Sequence, residues 1–265
     1  METNLLNTIS ILKVPKVILR YIMMNFLDVS TMKNLLLTVK EMNVLDNHSK
    51  DLLEKANKGF QWSCQNGHLN VAKWLYSRNE GINIHAYNEY IFRWSCANGH
   101  LDVAQWLYSI CEEIDRIDHH VDNEHAFKYS CADGHLDVAK WLYSLDVDIH
   151  VDNEYAFRLS CQNGHFDVAK WLYSIGNVNI HAQSDRAFLW SCIYGYLAVA
   201  KWLYSLGNVN IHVDNEDAFT RACAYGHFAV AKWLYSLGGV NIHADNEYAF
   251  RYAYGEILEW LNGLR

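Results

Sequence analysis

The stretch Gly134-His135-Leu136-Asp137-Val138-Ala139-Lys140-Trp141-Leu142-Tyr143-Ser144 decides the fold, because close copies of it recur along the chain. The spacings between successive copies are 32, 35, 30, 31 and 31 residues, as marked by their glycines: Gly67, Gly99, Gly134, Gly164, Gly195 and Gly226. A weaker seventh copy surrounds Gly255 and ends the sequence. Self-similarity at this period indicates stacked supersecondary units rather than one core around a central active site.

Each copy predicts two helices joined at its glycine. In the second copy, Asn88 and Glu89 suit a helix start as a capping residue and a first-turn acid, and apolar residues follow at helical spacing. Gly99 ends this helix, because glycine readily adopts the left-handed conformation of a C-cap. A second helix is predicted from Leu101 to about Ser109.

A short connector separates one helix pair from the next. Val178-Asn179-Ile180-His181 alternates apolar and polar residues, which is typical of a half-buried strand or a hairpin arm. The order of helix, glycine turn, helix and extended connector, repeated every ~31 residues, is that of an ankyrin-type solenoid.

The residues themselves resemble the ankyrin repeat family. Residues 134–144 look like its second helix with the Gly-His turn, and residues 207–213 look like its glycine-led entry into the hairpin. The family's Thr-Pro-Leu-His opening is absent, and Tyr155-Ala156-Phe157-Arg158 stands there instead. The resemblance covers residues 57–265 and implies an all-α, ankyrin-like helix-turn-helix solenoid with short extended connectors, six repeats plus a truncated C-terminal cap. It also implies a protein partner. The Trp-Leu-Tyr array is similar to those encoded by giant DNA viruses of amoebae.

Residues 1–56 differ in composition and predict a helical N-terminal module. The order of a proline-led apolar helix followed by a second apolar stretch resembles an F-box, which docks onto the linker subunit of a cullin-type ubiquitin ligase. The resemblance implies docking through Pro15, Ile18, Leu19, Ile22, Leu27, Leu35 and Val39. Val17 replaces a common acidic residue of that family, and a simple cap on the first repeat is the alternative.

Charge and hydropathy narrow the function classes. The chain has a net charge of −8, and its negative charge lies in residues 59–265, where 14 Lys and Arg stand against 24 Asp and Glu. An acidic array repels phosphate backbones, so we expect no nucleic-acid partner. No apolar run approaches the ~18 residues of a membrane span, and the first residues lack the pattern of a secretory signal. We therefore expect a cytoplasmic monomer without a membrane segment, in the host cytoplasm if the chain is viral.

The recurring cysteines and histidines indicate scaffolding rather than chemistry. Cys131 and His135 stand four residues apart, but Gly134 interrupts the helix between them, so we expect the two side chains to diverge. Interchangeable copies do not describe one activated nucleophile. We expect no catalytic residue, no metal site, no cofactor and reduced, buried cysteines. The histidines are expected to bond a neighbouring carbonyl in the turn, and acids such as Glu154 to cap their helices.

Differences among the copies indicate where a partner binds, because residues that hold the stack recur. The pair before each glycine varies, and the family resemblance implies that this pair lines the concave binding face. The predicted contact residues are Gln65, Asn66, Asn98, Asp133, Gln162, Asn163, Ile193, Tyr194 and Tyr225. The pair becomes aromatic at Tyr194 and Tyr225, which predicts a contact patch in the C-terminal half. The alternative is that the copies differ through sequence drift alone. A second variable position follows the repeated phenylalanine, for example Arg158.

Overall fold

Each copy of the motif folds into a first and a second helix joined by a glycine turn. A computed structural model describes residues 49–78, 81–111 and 116–265, with side chains from Ala56 onwards. The first helices of the described residues are α1 (Ser49–Gln65), α3 (Ala86–Ala97), α5 (Val121–Ala132), α7 (Val151–Gln162), α9 (Ala182–Ile193), α11 (Val213–Ala224) and α13 (Ala244–Tyr252). Their second helices are α2 (Leu69–Arg78), α4 (Leu101–Ser109), α6 (Leu136–Tyr143), α8 (Phe166–Ile175), α10 (Leu197–Ser205), α12 (Phe228–Ser236) and α14 (Gly255–Asn262).

The chain forms two compact units, Met1–Asp118 and His119–Arg265. The first unit contains helices α1 to α4, in which α1 packs against α3. In the second unit each first helix packs against the next one, α5 on α7, α7 on α9, α9 on α11 and α11 on α13. The predicted fold class, an all-α helical solenoid of repeated helix pairs, is therefore confirmed.

Most of the predicted N-terminal module lies outside the described residues, which begin at Ser49. The F-box-like docking residues between Pro15 and Val39 all fall there. The F-box-like interpretation, the simple cap and the domain boundary at residue 57 stay predictions.

The glycine turns have the geometry that the sequence predicts. Gly134 has a φ of +83°, and the N–H groups of Gly134 and His135 donate to the carbonyls of Cys131 and Ser130 at 3.3 and 2.8 Å. This pair of bonds is a Schellman motif. A Cβ atom on Gly134 would also lie only 2.4 Å from Nδ1 of His165 in the next repeat. Glycine is thus required by the backbone conformation and by the close approach of the neighbouring ring.

The turn histidines join neighbouring repeats. Nε2 of His100 lies 2.9 Å from the carbonyl oxygen of Gln65 in the preceding repeat, which confirms the predicted turn role for this histidine. Tyr196 replaces the histidine in the fifth copy, and its ring covers Gly164 in the same way. The residue at this position therefore supplies an aromatic ring that covers the turn glycine of the preceding repeat.

Aromatic side chains hold each repeat against the next. The buried ring of Phe157 lies 6.2 Å from the ring of Trp202 in the following repeat, measured between centroids. Tyr173 meets the same Trp202 edge-on, with centroids 5.6 Å apart and ring planes at 87°. Such T-shaped pairs contribute about 0.5–1.5 kcal/mol beyond the area they bury. The same contacts recur one repeat later, where Phe188 and Tyr204 meet Trp233.

The predicted capping role of the acids at the helix starts is wrong. Asp152, Asn153 and Glu154 have φ values of +53°, +56° and +63°, so they form a left-handed turn before the right-handed helix. Glu154 is buried, and its Oε1 lies 2.9 Å from Nδ1 of His150 and accepts the N–H of Asn179 at 3.2 Å. The carboxylate therefore clamps one repeat to the connector of the next instead of capping its own helix.

The position after the repeated phenylalanine is internal from the second copy to the sixth. Arg158 is 4% exposed and donates to the carbonyls of Asp152 and Asn153 at 2.9 and 2.8 Å. Three successive left-handed residues outside glycine are unfavourable, and these donors offset part of that cost. Leu189 and Thr220 occupy the same position in later copies and are buried as well. Its variation among copies thus reflects packing rather than contact with a partner.

The connectors keep the predicted alternation without forming strands. Val147 and Ile149 are each 7% exposed, whereas Asp146 and Asp148 are exposed. No strand occurs among residues 49–78, 81–111 and 116–265. Alternate connector residues are therefore buried by apolar contacts and by the hydrogen bond between a connector N–H and the carboxylate of the preceding repeat, not by pairing in a sheet.

We predict that Gly134→Ala destabilises the chain more than Gly238→Ala. Both glycines have a positive φ, but a Cβ on Gly238 meets nothing within 4 Å. The first substitution is expected to cost about 3 kcal/mol and the second about 1 kcal/mol in the free energy of unfolding, measured by urea denaturation. Equal losses would contradict the close approach of His165.

We predict that Glu154→Ala lowers the free energy of unfolding by about 2–3 kcal/mol, because it leaves His150 and the Asn179 N–H without their buried acceptor. The matched control is Glu247→Ala, the same position in the last repeat, where the carboxylate is far more exposed and accepts no connector N–H within the described residues. The control is expected to leave the urea midpoint nearly unchanged. A control loss as large as that of Glu154→Ala would refute the clamp.

Candidate interaction surface

The predicted contact residues lie at the C-terminal ends of the first helices and in the adjoining turns. Tyr194 and Tyr225 are 51% and 49% exposed, whereas Ile193 is only 7% exposed. Asn98 and Asn163 use their side-chain amides to donate to carbonyls of the preceding repeat at 2.8 and 2.7 Å. Of the remaining residues, Asn66 and Asp133 are exposed and Gln65 and Gln162 are half-buried. The two tyrosines are therefore the most accessible large side chains in the predicted set.

The two tyrosines extend a face that sequence reasoning missed. Side chains four residues apart share one face of a helix, so Tyr194 aligns with Trp190 and Arg186. The first-helix face of the second unit consists of His125, Tyr129, Asp133, Tyr155, Leu159, Asn163, Arg186, Trp190, Tyr194, Asp217, Arg221, Tyr225, Tyr248 and Tyr252. All of these residues are exposed or half-exposed. The sequence could have revealed this face if the copies had been compared at the positions four and eight residues before Tyr194 and Tyr225.

Aromatic contacts connect this face across repeats. The rings of His125 and Tyr129 lie 4.4 Å apart between centroids, with their planes tilted by 35°, and the ring of Tyr129 lies 6.0 Å from that of Tyr155 in the next repeat. The hydroxyl of Tyr155 donates to that of Tyr129 at 3.5 Å. Burial, followed by this hydrogen bond, raises the pKa of Tyr155 to about 12. Tyr155 therefore stays neutral and offers an aromatic surface with a polar tip.

Two guanidinium groups share one indole at the centre of the face. The Cζ atoms of Arg158 and Arg186 lie 5.8 and 5.5 Å from the ring centroid of Trp190. Burial lowers the pKa of Arg158, and the positive charge of Arg186 contributes to the same direction. Within the described part of the chain, the guanidinium of Arg186 forms neither an ion pair nor a hydrogen bond. The centre of the face thus carries an accessible, uncompensated positive charge beside an aromatic ring.

In the next repeat the arginine of this face is already paired with a carboxylate. The Nε atom of Arg221 donates to Oδ1 of Asp217 at 2.5 Å, and this bond is the largest cause of the raised pKa of Arg221. The Tyr225 side chain also bonds Arg221 and raises its pKa further. Arg221 therefore does not repeat the unpaired positive charge that Arg186 carries.

The cysteines are arranged as packing residues. Six of the seven are buried, one in each repeat, and burial raises the pKa of Cys96, Cys131 and Cys161 well above the ordinary thiol range. Cys111, which stands outside the repeated position, is half-buried and donates to the carbonyl of Leu107. No group of three or more metal-ligating side chains occurs in the residues that the structure describes.

We predict that Ellman's reagent at pH 8 modifies one thiol of the folded chain rapidly, that of Cys111, because the other six are buried and protonated. In urea all seven are expected to react. Cys111→Ser is the control and is expected to abolish the rapid phase. Rapid modification of several thiols in the folded chain would contradict the packing described for the cysteines.

The comparisons with known proteins agree with this architecture. A family model described as "Ankyrin repeats (3 copies)" matches residues 60–153, 94–184 and 157–246. The human ASB11 ankyrin repeat domain is a similar solved structure, with a TM-score of 0.56, 17% sequence identity, and coverage of 78% of this chain and 97% of that one. No curated protein sequence matches the chain.

These matches define a repeat protein of helix pairs, the class of fold that serves as a protein-interaction scaffold. The chain belongs to the ankyrin repeat family. Among the helices that the structure describes, none combines the length and the apolar character that crossing a membrane requires.

Proposed function

We propose that the chain is a non-enzymatic protein-interaction scaffold that binds its partner through the first-helix face of the second unit. The observation that carries this proposal is the concentration of half-exposed and exposed Trp, Tyr and Arg side chains around Trp190, Tyr194 and Tyr225. These residue types dominate binding hot spots, because they combine large apolar area with polar groups. Tyr194 and Tyr225 project from a rigid helix end and pay little conformational entropy on binding.

The variation among copies supports the choice of this face. On the second helices the same Lys-Trp-Leu-Tyr-Ser sequence recurs in nearly every copy, and Tyr173 and Tyr204 pack edge-on against the tryptophan of the next repeat. On the first-helix face the equivalent residues differ, as Tyr155, Arg186 and Asp217 do. Side chains that are not needed to hold neighbouring repeats together are available for a partner.

The state of the titratable groups supports a binding role rather than catalysis. The repeated carboxylates are buried and bonded to a histidine and a backbone N–H, as for Glu154, and the repeated thiols are buried with raised pKa values. A nucleophile needs an accessible group with an adjacent base. We expect the scaffold to be monomeric and cytoplasmic.

We predict that Tyr194→Ala combined with Tyr225→Ala weakens partner binding at least about tenfold, because truncated hot-spot tyrosines lose more than 1 kcal/mol each. Proteins captured by the full chain are identified by mass spectrometry, and the affinity of each is then measured for the wild type and the variant. Lys140→Ala combined with Lys201→Ala is the control, since both lysines are exposed on the second helices and lie away from the first-helix face. A partner that is lost with the control pair and kept with the first pair would refute the proposed face.

The second candidate function is a substrate adaptor of a cullin-type ubiquitin ligase. It rests on the F-box-like order of apolar residues from Pro15 to Val39. In that case residues of the first-helix face hold the substrate while the N-terminal module holds the ligase. The full chain should then bind the purified linker subunit, and Leu19→Ala with Ile22→Ala should remove that binding. An absence of binding by the wild type would eliminate this candidate.

A further inference from the structure

We propose that the partner inserts a carboxylate side chain, flanked by an apolar or aromatic residue, at the site formed by Arg186, Trp190 and Tyr155. This inference rests on the proposed function and specifies the chemistry of the partner. The proposed occupant of the first-helix face is a short acidic segment of a protein.

The charge distribution of the face supports an anionic occupant. The two guanidinium groups of Arg158 and Arg186 lie near the same Trp190 ring, at 5.8 and 5.5 Å from its centroid. Neither forms an ion pair with a carboxylate within the described residues, although the chain as a whole carries a charge of −8. Placing two like charges beside one indole is unfavourable, and an incoming anion relieves this repulsion.

Only one of the two arginines is available to the partner. Arg158 is buried and donates its Nε and one terminal nitrogen to the carbonyls of Asn153 and Asp152. Arg186 is half-exposed, and its guanidinium makes no hydrogen bond within the described part of the chain. A single planar guanidinium matches a carboxylate through two parallel hydrogen bonds, and its charge balances one negative charge.

The surroundings of Arg186 also favour an apolar neighbour of the carboxylate. Trp190 and Leu159 are half-exposed, and Tyr194, one helical turn further along, is 51% exposed. An apolar or aromatic side chain of the partner covers this area and excludes water from the ion pair, which raises the strength of the pair. In the next repeat Arg221 is already paired with Asp217, so no unpaired arginine is offered to an anion there.

The test selects random 12-residue peptides displayed on phage against the immobilised full chain. Affinities of the selected peptides are then measured by fluorescence anisotropy. We expect the selected peptides to carry Asp or Glu next to Leu, Phe, Tyr or Trp. Their affinity is expected to fall about tenfold or more for Arg186→Gln, since removing one partner of a desolvated charged hydrogen bond is costly.

The control is Lys201→Gln, which removes one positive charge from an exposed residue on the second helix of the same repeat. It is expected to leave the affinity unchanged, which separates recognition at Arg186 from a change in net charge. If Arg186→Gln lowers the melting temperature, Arg186→Lys replaces it. This variant keeps the charge without the planar fork and is expected to show an intermediate loss.

The outcomes separate this inference from the proposed function. Selected peptides without acidic residues, or peptides that bind wild type and Arg186→Gln equally while losing affinity for Tyr194→Ala, would overturn the carboxylate and leave the scaffold function standing. Peptides that bind equally to wild type, Arg186→Gln and Tyr194→Ala would overturn both. Selection of Lys- or Arg-containing peptides by Arg186→Glu would support the charge pairing directly.

Discussion

The contact between the buried phenylalanine of one repeat and the tryptophan of the next is the interaction on which the rest of the structure depends. One helix pair cannot bury its own apolar face, and Trp202 of the following repeat lies against the buried ring of Phe157. The glycine turn and the His150–Glu154 clamp act at the two ends of the same helix pair. Packing, turn and clamp together align the first helices.

This alignment explains why the side chains between repeats are nearly uniform while the outward side chains of the first helices vary. The side chains that meet the next repeat recur with little change, because each must fit the same neighbour. The outward side chains of the first helices have no such requirement, and there one repeat offers Tyr155, the next Arg186 and the next Asp217. A fold held together by local repetition thus presents a surface whose chemistry differs from one repeat to the next. The acidic charge of the chain makes the positive position at Arg186 distinctive.

The helix pairs, their glycine turns and the burial of the cysteines were predictable from the sequence, because each depends on local residue types that recur in every copy. The role of Glu154 was not predictable, since it depends on the N–H of Asn179, which belongs to the next repeat. The internal position of Arg158 was missed for a related reason. Its partners are carbonyls of a left-handed turn that residue spacing does not reveal. Differences between the copies predicted Tyr194 as a contact residue, whereas Trp190 and Arg186 were recognised as its neighbours only from the helix geometry.

The most direct test is a double-mutant cycle between Phe157 and Trp202, with each residue changed to Leu singly and together. The free energy of unfolding is measured for all four proteins by urea denaturation. Packing between neighbouring repeats predicts a coupling energy of about 1 kcal/mol, because each single substitution already removes the shared aromatic contact. Strict additivity of the two losses would show that these rings do not stabilise one another, and it would contradict this account of the fold.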